Sequence, residues 1–100
     1  MTDVLSYEFI KKLQVLPFVE AIFLFGSRTQ KKHSQFSDID LAVSCPKATT
    51  QEWQKVLDIV DSADTLLKID CVRYDKIVDR KFKEEIDRTK QVIYDQSRKS

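Results

Sequence analysis

The stretch that most constrains this chain is Ala21–Val43, AIFLFGSRTQKKHSQFSDIDLAV. It starts with five apolar residues, Ala21 to Phe25, rich in β-formers and too short for a globular helix, which predicts a buried strand. The strand runs into Gly26, the only glycine of the protein. A glycine at a strand end admits backbone conformations barred to other residues, or the close approach of a ligand. Ser27 adds a hydroxyl and a backbone N–H where a helix could start, an arrangement that favours phosphate. After a polar spacer the pattern alternates, with Ile39, Leu41 and Val43 on one face of a second strand and Asp38, Asp40 and Ala42 on the other. The backbones of the two aspartates then lie roughly 7 Å apart, at a rise of about 3.3 Å per residue. Aspartate is depleted in strands, and two on one face repel each other. Read blandly, they are exposed aspartates on a half-solvated strand. Read chemically, a cation lies between them, and hard carboxylate oxygens suit Mg²⁺, which fills the rest of its shell with water and substrate phosphate.

One hundred residues, 42% hydrophobic and 33% charged, predict one soluble globular domain over 1–100 with a single modest core. A formal net charge of +1 gives no basic field to drive nucleic-acid binding by the isolated chain. Lys31-Lys32-His33 is a short basic cluster in the spacer and reads as solvated loop. Cys45 and Cys71 form no C-x-x-C pair, so a sulfur metal site is not expected. Two thiols and no secretion signal point to a reducing, cytoplasmic setting. No apolar run approaches a membrane span.

The remaining segments read as scaffold. Leu5, Phe9 and Leu13, widened by Ile10 and Leu16, predict an amphipathic helix from about Asp3 to Val15, stopped at Pro17. Thr49-x-x-Glu52 is a capping-box pattern opening a helix with Trp53, Val56, Leu57 and Val60 on one face and an end near Asp61 to Asp64. Leu66 to Arg73 predicts a third strand, in which Ile69, Cys71 and Arg73 alternate with Lys68, Asp70 and Val72. Asp70 is out of place among apolar residues unless something holds its charge, which a lysine at a strand edge could also do. After a turn at Asp75 to Asp79, a last helix is expected with Phe82, Ile86, Thr89 and Ile93 on one face. The fold class is α/β (α+β), a small sheet with helices packed on it.

Gly26-Ser27, the spacer and Asp38-Ile39-Asp40-Leu41 together resemble the signature of the DNA polymerase beta-like nucleotidyltransferases. The fuller string FGSR…SDIDLAV is similar to the minimal nucleotidyltransferase branch (MNT). The resemblance implies a mixed sheet, and it places a third carboxylate on the strand beside the D-x-D pair, where IDCV puts Asp70. It implies that Asp38, Asp40 and Asp70 hold two Mg²⁺ ions for in-line displacement, with Asp70 also the candidate general base. Gly26 and Ser27 would grip the β- and γ-phosphates of ATP, and Arg28 would face the triphosphate. Two departures stand out. The family's second glycine (G-S-R-x-x-G) is missing near Lys31, and a glycine usual before the final apolar pair and tyrosine, here Val92-Ile93-Tyr94, is replaced at Lys90.

The reaction implied is transfer of AMP from ATP. So small a chain has little left to build an acceptor site, so the acceptor or the rest of the pocket should come from a partner. In the minimal family that partner is a small helical HEPN-type toxin, which the transferase, as antitoxin, adenylylates or masks. A homodimer or a hetero-oligomer would serve. Two rival expectations are a catalytically weak module of the same fold that masks a helical partner, and a subunit that modifies a small molecule such as an aminoglycoside. Three converging carboxylates favour the enzyme; the missing loop glycine leans towards the masking module.

Overall fold

The computed structural model describes residues 8–25, 39–63 and 69–98. Helix α1, Glu8–Gln14, buries Phe9, Ile10 and Leu13, the predicted apolar stripe, and the chain then turns through Pro17. The earlier part of that predicted helix lies outside the described residues. Strand β1, Ala21–Leu24, carries the apolar run, and β2, Ile39–Ser44, the alternating one.

Helix α2, Thr50–Asp61, begins with the capping box read in the sequence. The Thr49 hydroxyl accepts from the Glu52 amide at 3.1 Å, and the Glu52 carboxylate accepts from the Thr49 amide at 2.9 Å. Two amides left over by the helix start are thereby satisfied. Strand β3, Ile69–Arg73, follows, then a 3-10 turn, Tyr74–Lys76. Helix α3, Arg80–Thr89, is capped by Asp79, whose carboxylate accepts from the Phe82 amide at 3.2 Å. Strand β4, Gln91–Asp95, and a 3-10 turn, Gln96–Arg98, complete the described chain.

The strands form one mixed sheet in the order β3-β2-β1-β4. β1 runs antiparallel to both β2 and β4, while β2 and β3 are parallel. Parallel neighbours need a crossover, and α2 lies in it. On one face Ile22, Leu24, Ile39, Leu41 and Val43 meet α1 and α2, with Val56 and Val60 from α2. On the other, Phe23, Phe25 and Ala42 meet Ile86 of α3. Ala42 is the small residue that lets α3 approach, and Ile86 above it is fully buried.

The end of the chain departs from the expected long last helix. Helix α3 stops at Thr89, and Lys90 caps it with φ −65° and ψ 144°, its amide donating to the Ile86 carbonyl at 2.7 Å. Ile93 therefore belongs to β4 and not to the helix face shared by Phe82 and Ile86. The β1–β4 register shifts between Ile22 and Phe23, because Tyr94 faces Ile22 and Val92 faces Phe23, leaving Ile93 as the extra residue of a bulge. Both Ile93 and Tyr94 pack on the core shared with α1 and α2. A run of β-branched and aromatic residues such as Val92-Ile93-Tyr94 suits a pleated, half-buried surface better than a helix.

Candidate active site

Strand pairing decides where each candidate carboxylate stands. In the parallel β2–β3 ladder Asp40 is the direct partner of Asp70. Neighbouring strands lie about 4.8 Å apart and paired side chains leave the same face, so the two carboxylates stand side by side. They occupy the face that carries α3. Across β1, the Phe25 amide donates to the Asp40 carbonyl at 3.1 Å, continuing the β1–β2 register beyond Leu24–Leu41. One row across the sheet is therefore Asp70, Asp40, Phe25. The next, one pleat further, is Val72, Ala42, Phe23. Helix α3 sits on this second row through Ile86 and reaches the Phe25 end of the first through Phe82.

A cavity of 480 Å³ opens over the first row, lined by Phe25, Asp40, Asp70, Cys71, Val72 and Phe82. Asp40 is half-buried and Asp70 exposed. Among the described residues no hydrogen bond or ion pair engages the Asp70 carboxylate, and Lys68, two residues before it, lies outside them. Two adjacent carboxylates on a rigid sheet supply hard oxygen donors of the kind Mg²⁺ takes in ones and twos. Among the described residues there is no group of three His, Cys, Asp or Glu able to hold a metal. Asp38, Gly26, Ser27 and Arg28 lie outside the described residues, as do Lys31, Lys32 and His33.

The sequence reading missed Phe25 and Phe82 as site residues. Their rings meet edge-to-face, centroids 5.9 Å apart. Their place beside Asp40 depends on the β1–β2 register and on where α3 lands, and no local pattern carries either. It also missed a brace behind the site. The Arg73 guanidinium donates to the carbonyls of Cys45 (3.2 Å) and Ala48 (2.6 Å) and lies 5.8 Å from the Trp53 ring. The Asp75 carboxylate accepts from the Cys45 amide and from the Ser44 hydroxyl. Together they tie the β2–α2 loop to the end of β3, which holds the two aspartate-bearing strands in register.

On the α3 side of the sheet, the Tyr74 hydroxyl donates to Asp87 at 2.6 Å. That bond, with some burial, pushes the phenol up to about 12. The same bond, helped by Lys90, holds the Asp87 carboxyl below its ordinary value. The Lys90 ammonium reaches Asp87 at 3.3 Å and lies 4.7 Å from the Phe23 ring centroid and 5.4 Å from that of Tyr74. The expected glycine is thus replaced by a lysine that fastens α3 to the sheet, and its backbone needs no glycine. Burial raises both thiols, that of Cys71 to about 12. Neither cysteine is in a disulfide.

A small mixed sheet with one aspartate on its antiparallel pair and the next on the parallel neighbour is the layout that the resemblance to the nucleotidyltransferases implies. The chain belongs to the family described as "Polymerase beta, Nucleotidyltransferase", which matches residues 8–99. No protein with a curated description is similar enough in sequence to match. Solved structures share the fold. A chain of a toxin–antitoxin crystallised with AMP-PNP is 23% identical with a TM-score of 0.61, the match covering 87% of this chain and 71% of that one. A mutant of the toxin–antitoxin MntA-HpeT carrying two Asp-to-Glu substitutions is 22% identical, TM-score 0.57, covering 86% and 70%. A second mutant of the same pair, with Tyr replaced by Ala, is 23% identical, TM-score 0.60, covering 86% and 69%. No helix among the described residues is long and apolar enough to cross a membrane.

Proposed function

We propose that this chain is a Mg²⁺-dependent nucleotidyltransferase that moves AMP from ATP onto a partner protein, acting as the antitoxin of a pair whose toxin is a small helical HEPN-type protein. The observation that carries the catalytic half is the direct pairing of Asp40 with Asp70 on an otherwise apolar sheet face. Asp38, two residues before Asp40 in the sequence, is on this reading the third carboxylate of the set. The fold neighbours support the partner half, being chains of toxin–antitoxin structures, one of them with an ATP analogue.

Magnesium, when bound by these aspartates, would lower the pKa of the attacking hydroxyl and stabilise the pyrophosphate that leaves. The chain's own groups do the rest. Gly26 and Ser27 hold the terminal phosphates, and Arg28 faces the triphosphate. Asp70, on the edge strand and open to an incoming acceptor, takes the proton from the acceptor hydroxyl. That oxygen bonds to the α-phosphorus as the bond from the α-phosphorus to the α–β bridging oxygen breaks. The absence of a glycine near Lys31 favours a second reading, in which the domain masks its partner without turnover.

Calorimetry with Mg²⁺ and AMP-PNP, and transfer of labelled AMP to the partner, separate these readings. The transferase predicts binding that requires Mg²⁺ and is lost in Asp40→Asn, with transfer abolished. Wild-type turnover in Asp40→Asn would remove the carboxylates from the mechanism. Binding of partner without any transfer would leave the masking module.

A further inference from the structure

Phe82 stands out among the apolar residues of α3. Ile86, one turn on, is fully buried, but Phe82 remains 36% exposed and overhangs the carboxylate row. A singly exposed apolar side chain is ordinary on a protein surface; what sets Phe82 apart is that its exposed ring lines the cavity holding both aspartates. Among the described residues the floor of the cavity is acidic, and its walls, Phe25, Phe82 and Val72, offer no hydrogen-bonding side chain, a surface suited to a flat or apolar uncharged group. The Cys71 side chain packs in the core on the opposite face, so Cys71 meets the cavity through its main chain. Among the described strands β3 stands at the edge of the sheet.

We propose that the Phe82 ring, steadied edge-on by Phe25, is the platform on which the purine base of the nucleotide rests, with the β3 edge at Cys71 facing the ring nitrogens. This rests on the nucleotidyltransferase reading of the Asp40–Asp70 row, which holds the phosphate end of the same molecule. A cavity of 480 Å³ has room for a nucleoside beside those carboxylates. A π-face accepts any base, but a purine covers more of it, so the site prefers purine to pyrimidine triphosphates.

The test compares two Mg²⁺-loaded probes, AMP-PNP and tripolyphosphate, which has no base, on wild type, Phe82→Ala and Phe82→Trp. Phe82→Ala is expected to weaken AMP-PNP about 10-fold, the loss of one base–aromatic stack, and to leave tripolyphosphate unchanged. Phe82→Trp is expected to keep AMP-PNP affinity, with indole quenching beyond that of Trp53 on adding AMP-PNP but not tripolyphosphate. Unchanged AMP-PNP affinity in Phe82→Ala overturns the proposal, and if AMP transfer then falls, the ring serves the acceptor. Equal loss of both probes also overturns it, since Phe82 would then only support the carboxylates. If wild type binds neither probe, the nucleotidyltransferase reading fails first and the base platform with it.

Discussion

Replacing Asp70 by Asn isolates the electrostatic cost of the site. Asp40 and Asp70 are paired neighbours, so their charges lie about 5 Å apart. Two like charges at that distance repel by about 0.8 kcal/mol in bulk water and about 3 kcal/mol at an effective dielectric constant near 20. Asp70 is exposed and Asp40 only half-buried, which places the pair near the lower limit, about 1 kcal/mol. Without divalent metal, Asp70→Asn should therefore be more stable than wild type. For a domain of about 100 residues that is a rise in Tm of about 5 °C. Saturating Mg²⁺ should reverse the order, because a cation that binds only the folded state stabilises whichever protein holds it more tightly. Thermal unfolding by circular dichroism in EDTA and then in Mg²⁺ gives both numbers. If Asp70→Asn melts lower than wild type in EDTA, its carboxylate has a stabilising partner and the repulsion account fails. If Mg²⁺ raises both melting points equally, Asp70 is not part of the metal site.

Two further outcomes test how α3 is held. Ala42→Leu puts three extra carbons under Ile86, where α3 rests on the sheet, and should cost about 1–3 kcal/mol by urea unfolding; an unchanged midpoint would mean α3 does not pack there. The Tyr74–Asp87 bond makes a pH-dependent contribution at both extremes. The phenol is raised from 10 to about 12 in the fold, so its contribution is complete below pH 10 and lost as pH climbs from there to about 12. The Asp87 carboxyl is lowered, so its contribution is present above its ordinary value of 3.8 and lost as pH falls through the folded value. Tyr74→Phe should flatten the stability profile at both ends, and a profile parallel to wild type throughout would show the bond to be absent in solution.

What could be read from the sequence, and what could not, follows from the range of each interaction. The Thr49–Glu52 box, the Ile39–Leu41–Val43 alternation and most of the apolar stripes of α1 and α2 are set by residues within a turn or two of each other and appear as read, except that Ile59 of α2, and not Leu57, packs on the core; Leu5 and Asp38 lie outside the described residues. Asp70 was placed by family resemblance, and only the β2–β3 register puts it next to Asp40. The last helix was overextended because Phe82, Ile86 and Ile93 keep a roughly helical spacing that runs past Lys90. Pairing with β1, some seventy residues earlier in the chain, takes 91–95 into the sheet, and a helical period alone cannot register that competitor. The same distance in sequence hid Phe25 and Phe82. Each reads locally as core, and only the meeting of β1 with α3 brings the buried Phe25 and the partly exposed Phe82 to the wall of the cavity. Beside them the small Ala42 lies beneath the large, fully buried Ile86. The packing of Ile86 over Ala42 and the cavity over Asp40 and Asp70 thus lie on the same sheet face, one pleat apart, and only the assembled sheet brings them together.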